Sequence, residues 1–132
     1  MLPNNQLRLL HEAVSHQSAG RLTEAIRIYN EILRKAPSSL ECVNALAALY
    51  AQRGDLNSAI PHFRRAAKLR PDIPDSHYNL AVALSMTGQH SEATDQYQRV
   101  LNLNPQHVGA LNNYATTLLQ NGQIKEAINQ FN

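Results

Sequence analysis

The sequence predicts an all-α chain built as a stacked array of antiparallel helix pairs, and three observations predict it. Gly20, Gly54, Gly88 and Gly122 stand 34 residues apart, and so do Ala25, Ala59, Ala93 and Ala127. The ring residues Tyr29, Phe63, Tyr97 and Phe131 and the prolines Pro37, Pro71 and Pro105 keep the same register. Between these marks the apolar residues fall at helical spacing and break at each Gly and Pro. A fixed period of this length is the signature of a solenoid in which each unit buries its faces against its neighbours. The best copy is Asn44 to Pro71. The whole chain, 1–132, reads as one array of four units, about 6–39, 40–73, 74–107 and 108–132, the last incomplete.

In the first unit one apolar stripe is Leu7, Leu10, Ala13 and Val14, and a second is Leu22, Ala25, Ile26, Tyr29, Ile32 and Leu33. The break is Ser18-Ala19-Gly20-Arg21, where Gly20 can take a positive φ and let the chain double back. Pro37 cannot continue the second helix, and Ser38 with Glu41 three residues later predicts a capping box for the third. Asp55, after Gly54, is the expected N-cap of the fourth helix. Pro61 lies several residues inside that helix, which predicts a late start or a local distortion. The third unit opens with Pro71-Asp72-Ile73-Pro74-Asp75, where Asp72 is the expected cap and Pro74 and Asp75 suit the first turn.

The fourth unit has its first helix from about His107 to Gln120, the Gly122 turn, and a last helix from Ile124 to Asn132. By register that helix ends several residues short, and no polar capping helix follows. Ile124, Ile128 and Phe131 would then look outward. The expectation is an amino-terminal part of a longer protein, or self-association through that end. Small residues recur on both helices of each pair: Ala13, Ala47, Ala81 and Ala115 on the first, Ala25, Ala59, Ala93 and Ala127 on the second. A methyl group there allows close backbone approach, and the ring four residues after the second-helix alanine fills the adjoining space.

A formal net charge of +2 with interspersed signs gives no field that would select nucleic acid or an anionic membrane. The single cysteine, Cys42, cannot form an internal disulfide and falls in the first turns of a predicted helix as a small, half-buried side chain. The start, MLPNNQLRLL, lacks the pattern of a secretory signal. The longest apolar run, Ala45 to Ala51, is far short of the roughly 20 residues that cross a bilayer. A soluble, cytoplasmic protein is expected, with no membrane partner.

Catalytic readings find no support in the residues. The six histidines, His11, His16, His62, His77, His90 and His107, are scattered without a metal-helix pair and read as exposed or turn residues. No nucleophile motif or phosphate-cradling loop is present, so no enzyme, metal or cofactor is expected of this segment. Arg64, Arg65, Lys68 and Arg70 would carry a nucleic-acid reading, but no aromatic stacking platform accompanies them, and a solvated convex face explains them better.

The 34-residue period, the alanine columns, the aromatic column and the closing proline resemble the tetratricopeptide repeat (TPR), over about Gln6 to Asn132. Leu9, Val43, His77 and Leu111 stand where that family often carries a large aromatic. The resemblance implies helix-turn-helix pairs, a right-handed superhelix, and protein or peptide binding in a groove lined by the first helices, without catalysis. By the family's geometry the groove positions are Leu7, Leu10, His11 and Val14; Glu41, Asn44, Ala45 and Ala48; Asp75, Tyr78, Asn79 and Val82; and Gly109, Asn112, Asn113 and Thr116. The basic clamp with which the chaperone-binding branch holds a terminal carboxylate is missing.

What remains is a neutral wall of amides with apolar patches. Asn79 and Asn113 occupy equivalent positions and are similar to the asparagine ladder in the TPR superhelix of O-linked N-acetylglucosamine transferases, although His11 and Ala45 break the ladder in the other units. An amide offers both donor and acceptor to a peptide backbone. The expected groove site is Asn44, Tyr78, Asn79, Val82, Asn112, Asn113 and Thr116, holding extended peptide weakly and with little sequence preference. Two alternatives stand beside it: the recognition arm of a longer glycosyl- or sulfotransferase, and a self-assembling module.

Overall fold

The computed structural model describes residues 2–122 and 128–129. Its elements are α1 (Asn4–Ser18), α2 (Leu22–Lys35), α3 (Leu40–Gln52), α4 (Leu56–Leu69), α5 (Pro74–Met86), α6 (His90–Leu103) and α7 (Val108–Gln120). Residues 128 and 129 are also helical, and no strand occurs among the described residues. The 34-residue period now has a mechanical content. A 13-residue helix, a three-residue turn, a 14-residue helix and a four-residue turn fill it. Connections this short force each helix to run antiparallel to the one before it.

The three-residue turns share one hydrogen-bonding scheme. Arg21 N–H donates to the His16 carbonyl at 2.8 Å, Asp55 to Tyr50 at 2.9 Å and Gln89 to Leu84 at 2.9 Å, each spanning the turn glycine. This bond from C″ to C3 closes a helix end only if the residue between takes the left-handed conformation. Gly20, Gly54, Gly88 and Gly122 have φ between 77° and 81°, as the period predicts.

Two compact units divide the chain, Met1–His62 and Phe63–Asn132. In the first, α1 packs on α2 and α2 on α3. Its core gathers Leu10, Ile28, Tyr29, Ile32, Val43, Leu46 and Leu49, with Ala13, Ala25, Ala47 and Ala59 fully buried between them. Tyr29 Oη reaches back to α1 and donates to Gln17 Oε1 at 2.9 Å. Cys42 is completely buried rather than half-exposed, and burial pushes its thiol up, with Ser39 pulling the other way and Glu41 adding to the rise. In the second unit α5, α6 and α7 pack on one another around Leu80, Leu84, Tyr97, Val100, Tyr114 and Leu118, with Ala81, Ala93 and Ala115 at zero exposure. The last alanine and ring of the two columns, Ala127 and Phe131, lie outside the described residues, as does Ile124.

Several helix starts differ from expectation. Ser39, not Ser38, caps α3: its hydroxyl accepts from Cys42 N–H at 3.4 Å, one residue later than the capping-box reading placed it. Asp72 does not cap α5. Arg70 holds it through two bonds, Nε to Oδ1 at 3.0 Å and Nη2 to Oδ2 at 2.9 Å, and this pairing keeps its carboxyl down at about 2. Ile73 takes the cap position without a side-chain bond, and Pro74 supplies the preset φ of the first turn instead.

Asp55 caps α4 as predicted, accepting from Ser58 N–H at 3.2 Å. That helix begins in register at Leu56 and runs through Pro61 without a late start. Pro61 and Asn57 are both exposed, so the carbonyl that loses its partner is on the watered side of the helix, where solvent replaces the missing N–H.

Candidate peptide-binding face

The helical repeat places Tyr78, Val82, Ser85 and Met86 along one face of α5, and Gly109, Asn113, Thr116 and Gln120 along one face of α7. The structure joins the two faces at Tyr78 and Asn113, where Asn113 Nδ2 donates to Tyr78 Oη at 3.0 Å. The Tyr78 ring lies tilted against the His107 ring at 4.7 Å and edge-on to Tyr97 at 6.3 Å. Its path crosses α7 where α7 has no side chain. A Cβ on Gly109 would sit 2.8 Å from Tyr78 Oη and 3.2 Å from Cζ, so only glycine admits the ring there. His107 is fixed independently, its Nδ1 accepting from Ala110 N–H at 3.0 Å as the cap of α7.

Behind this pair stands Tyr97, the ring of the repeat's aromatic column, stacked on Tyr114 at 6.2 Å. Burial raises the Tyr97 phenol to about 12, the neighbouring Tyr78 adds to the rise, and the Thr117 and Asn113 side chains pull the other way. Thr117 Oγ1 donates to the Asn113 carbonyl at 2.7 Å, so its one hydrogen is spent. Ser85 Oγ, 2.8 Å away, is therefore the donor in the hydroxyl pair that ties α5 to α7.

Between the two helices opens a crevice of about 310 Å³. Val82, Ser85 and Met86 form one wall and Asn113, Thr116 and Gln120 the other, with Tyr97 and Thr117 in the floor. That volume is at the lower end for small-molecule clefts and suits a side chain or two. Met86 is 70% exposed, an apolar side chain standing at the rim with no intramolecular cover.

Of the expected groove residues, the crevice gathers Val82, Asn113 and Thr116, and Tyr78 adjoins them through Asn113. Asn79 and Asn112 are exposed on the same two helices but outside the crevice lining. Asn44 is exposed on α3, in the other unit. Thr116 offers its methyl group, since its hydroxyl donates to the Asn112 carbonyl at 3.0 Å. Asn113 turns its amide nitrogen to Tyr78 and also acts on the Tyr97 phenol, which leaves its side-chain carbonyl oxygen for a ligand. In the first unit Leu10 is buried to all but a small edge. Leu7, Leu10 and Glu41 of the expected groove help line a concavity of about 610 Å³ with Leu2, Pro37, Ser39 and Leu40.

Sequence reasoning missed Ser85, Met86, Thr117 and Gln120, and it placed Gly109 in the groove without a reason for a glycine there. Met86 and Gln120 could have been found by extending the faces of Val82 and Thr116 one further turn. The need for glycine at 109 was legible only as a glycine within a helical pattern, costly unless a neighbour needs the space.

The histidine reading also needs correction. His77 is 4% exposed, not a surface residue, with Nε2 at 2.8 Å from the Pro71 carbonyl and Nδ1 at 2.9 Å from Gln96 Oε1. Its column carries Leu9, Val43 and Leu111 in the other units, so register draws it inward, and these two partners make the burial tolerable. His16 accepts from Arg21 Nε at 2.7 Å, and His62 stacks on Tyr50 at 5.7 Å. Among the described residues no three His, Cys, Asp or Glu side chains gather as metal ligands would, and no helix is long and apolar enough to cross a membrane.

Residues 52–132 match the family described as anaphase-promoting complex, cyclosome, subunit 3, and residues 9–39 match the tetratricopeptide repeat. No curated protein matches the chain. Among solved structures, MamA of AMB-1 is similar with a TM-score of 0.87 at 24% identity, over 93% of this chain and 67% of that one. MamA from Desulfovibrio magneticus RS-1 gives 0.82 at 15% identity, over 96% and 71%. The first TPR of Spaghetti (RPAP3), bound to the HSP90 peptide SRMEEVD, gives 0.76 at 20% identity, over 89% and 93%. At these identities the likeness establishes the fold.

Proposed function

This chain belongs to the tetratricopeptide-repeat family, its residues 52–132 to the family described as anaphase-promoting complex, cyclosome, subunit 3, and from that premise we propose that it is a non-catalytic protein-interaction scaffold whose α5–α7 face binds an extended peptide. The observation that carries this reading is the Asn113–Tyr78 bond over Gly109 beside the 310 Å³ crevice. It leaves an oriented amide next to an apolar slot. An extended peptide presents the matching pattern, with backbone N–H and C=O for Asn79 and Asn113 and an alternate side chain for the slot between Val82 and Met86.

The RPAP3 repeat, of the same fold, holds a peptide with three carboxylate side chains. The four groove columns of this chain contain no Lys or Arg. The ligand proposed here is accordingly neutral, with an aliphatic or small aromatic side chain as its anchor. Backbone hydrogen bonds contribute about 0.5–1.5 kcal/mol each, so affinity stays modest and preference broad.

Panning a displayed library of random peptides against the chain, followed by anisotropy titration of the enriched sequences, tests the proposal. Changing Asn79 and Asn113 together to Ala should weaken those peptides about tenfold, at two backbone bonds lost. Val82→Lys should abolish enrichment of the apolar anchor. Unaltered affinity in both variants would sink the reading.

A further inference from the structure

A further concavity, sharing no lining residue with the peptide face, lies where the end of α4 meets α5 and α6 within the second unit. It measures about 360 Å³ and is lined by Arg64, Lys68 and Arg99, with Pro71, His77 and Gln96 among the remaining walls. Three cations therefore converge on one small crevice, two from α4 and one from α6. Arg64 is held in place by an ion pair with Glu92, the α6 carboxylate opposite it. Lys68 and Arg99 form no ion pair among the described residues; Asp95, one turn before Arg99, does not reach it.

Three cations against one carboxylate leave the rim with two positive charges unbalanced. The sequence had grouped Arg64, Arg65, Lys68 and Arg70 as one solvated face, but the structure separates them. Arg70 is taken by Asp72, Arg65 is exposed and outside the crevice lining, and Arg64 and Lys68 line the crevice with Arg99 from the next repeat.

Beside the apolar Ala67 and Leu80, the walls hold two polar side chains that are already ordered. His77 bridges the Pro71 carbonyl and Gln96, so both lining residues are fixed by bonds at 2.8 and 2.9 Å before any ligand arrives. A guanidinium presents five N–H donors and an ammonium three. With one Arg64 nitrogen committed to Glu92, the crevice still offers donors from both sides to a ligand of several oxygens.

We propose that this crevice is a second ligand site, for a doubly charged tetrahedral oxyanion of the phosphomonoester type. Such a group carries close to two negative charges at neutral pH and three strong acceptor oxygens, which matches the charge imbalance and the donor arrangement. A single carboxylate would leave one cation unanswered. A polynucleotide would need a continuous basic track and stacking rings, and among the residues lining this crevice there is no Phe, Tyr or Trp.

The test is an NMR titration of the full chain, at constant ionic strength, with inorganic phosphate, a phosphoserine peptide, the same peptide unphosphorylated, and a short single-stranded RNA. Saturable shifts at Lys68, Gln96 and Arg99 with phosphate and the phosphopeptide, absent with the unphosphorylated peptide, are expected. Tighter binding of the phosphopeptide than of free phosphate identifies a modified protein as the source, and the reverse identifies the free anion. Lys68→Ala and Arg99→Ala, both exposed positions, should each weaken binding about fivefold, as befits a lost charge-assisted bond at a partly solvated site. Arg65→Ala should leave it unchanged. Absence of saturation, an Arg65→Ala loss equal to that of Arg99→Ala, or RNA binding tighter than the phosphopeptide would each overturn the proposal.

Discussion

Two glycines of this chain are indispensable for opposite reasons, and their alanine variants should separate stability from function. Gly88 sits at φ 81° with nothing within 4 Å of an added Cβ. Gly88→Ala meets no neighbour and pays only the left-handed strain, about 1–2 kcal/mol, visible as a lower urea midpoint. Gly109 lies in the first turn of α7, where alanine is the better helix former by up to about 1 kcal/mol. The cost there is the encounter with Tyr78 Oη at 2.8 Å. Gly109→Ala should therefore leave the midpoint nearly unchanged while displacing Tyr78, breaking its bond to Asn113 and weakening peptide binding. A midpoint loss as large as that of Gly88→Ala would contradict this. Tyr97 offers a check of the buried floor. Its phenol, raised to about 12, stays protonated in the folded chain after the unfolded chain has released its proton near 10. Stability is then fully present below pH 10 and falls as pH rises from 10 through 12. Tyr97→Phe should flatten that fall, read from urea midpoints across the alkaline range.

At the scale of the helix, most boundaries were legible because glycine and proline act on the backbone directly. The turns at Gly20, Gly54 and Gly88 follow from a conformational preference that no packing can override at low cost. Caps were less legible. Ser38 and Ser39 carry the same hydroxyl, and only the packing of α3 selects which one starts the helix. Asp72 was a plausible cap until Arg70, two residues away, offered it a charged partner. Pro61 shows the same dependence on surroundings. It interrupts the hydrogen-bond ladder of α4 on the exposed side, so water mends the break and the helix continues. Pro61→Ala should restore the bond to the Asn57 carbonyl and stabilise the chain by about 1 kcal/mol in chemical denaturation. If α4 were strained at Pro61 in the way the sequence first suggested, the gain would approach the roughly 3 kcal/mol of a buried helix interior.

For the molecule as a whole, the period made the architecture readable and left the ligand obscure. Columns such as Ala13, Ala47, Ala81 and Ala115 repeat because every unit must solve the same packing problem, and repetition is what a sequence displays best. Tyr78, Gly109 and Met86 occur once each in their columns and Asn113 is matched by Asn79 alone, so no full column announces them. Their meaning rests on contacts between α5 and α7 that only the folded chain makes. The burial of the single cysteine has a use that follows from this architecture. Cys42 has no exposed surface in α3, and its thiol is shifted toward the protonated, unreactive form. It is the chain's only sulfhydryl, so the unmodified protein carries one internal clock. Alkylation should proceed only when α3 opens, and its rate in native buffer, divided by that of the unfolded chain, measures the free energy of that opening. In an array stabilised through nearest neighbours this should be smaller than the free energy of global unfolding followed by circular dichroism. Equal values would mean that the first unit yields only when the entire chain does, and a rate matching that of a free thiol would mean that α3 does not cover Cys42 in solution.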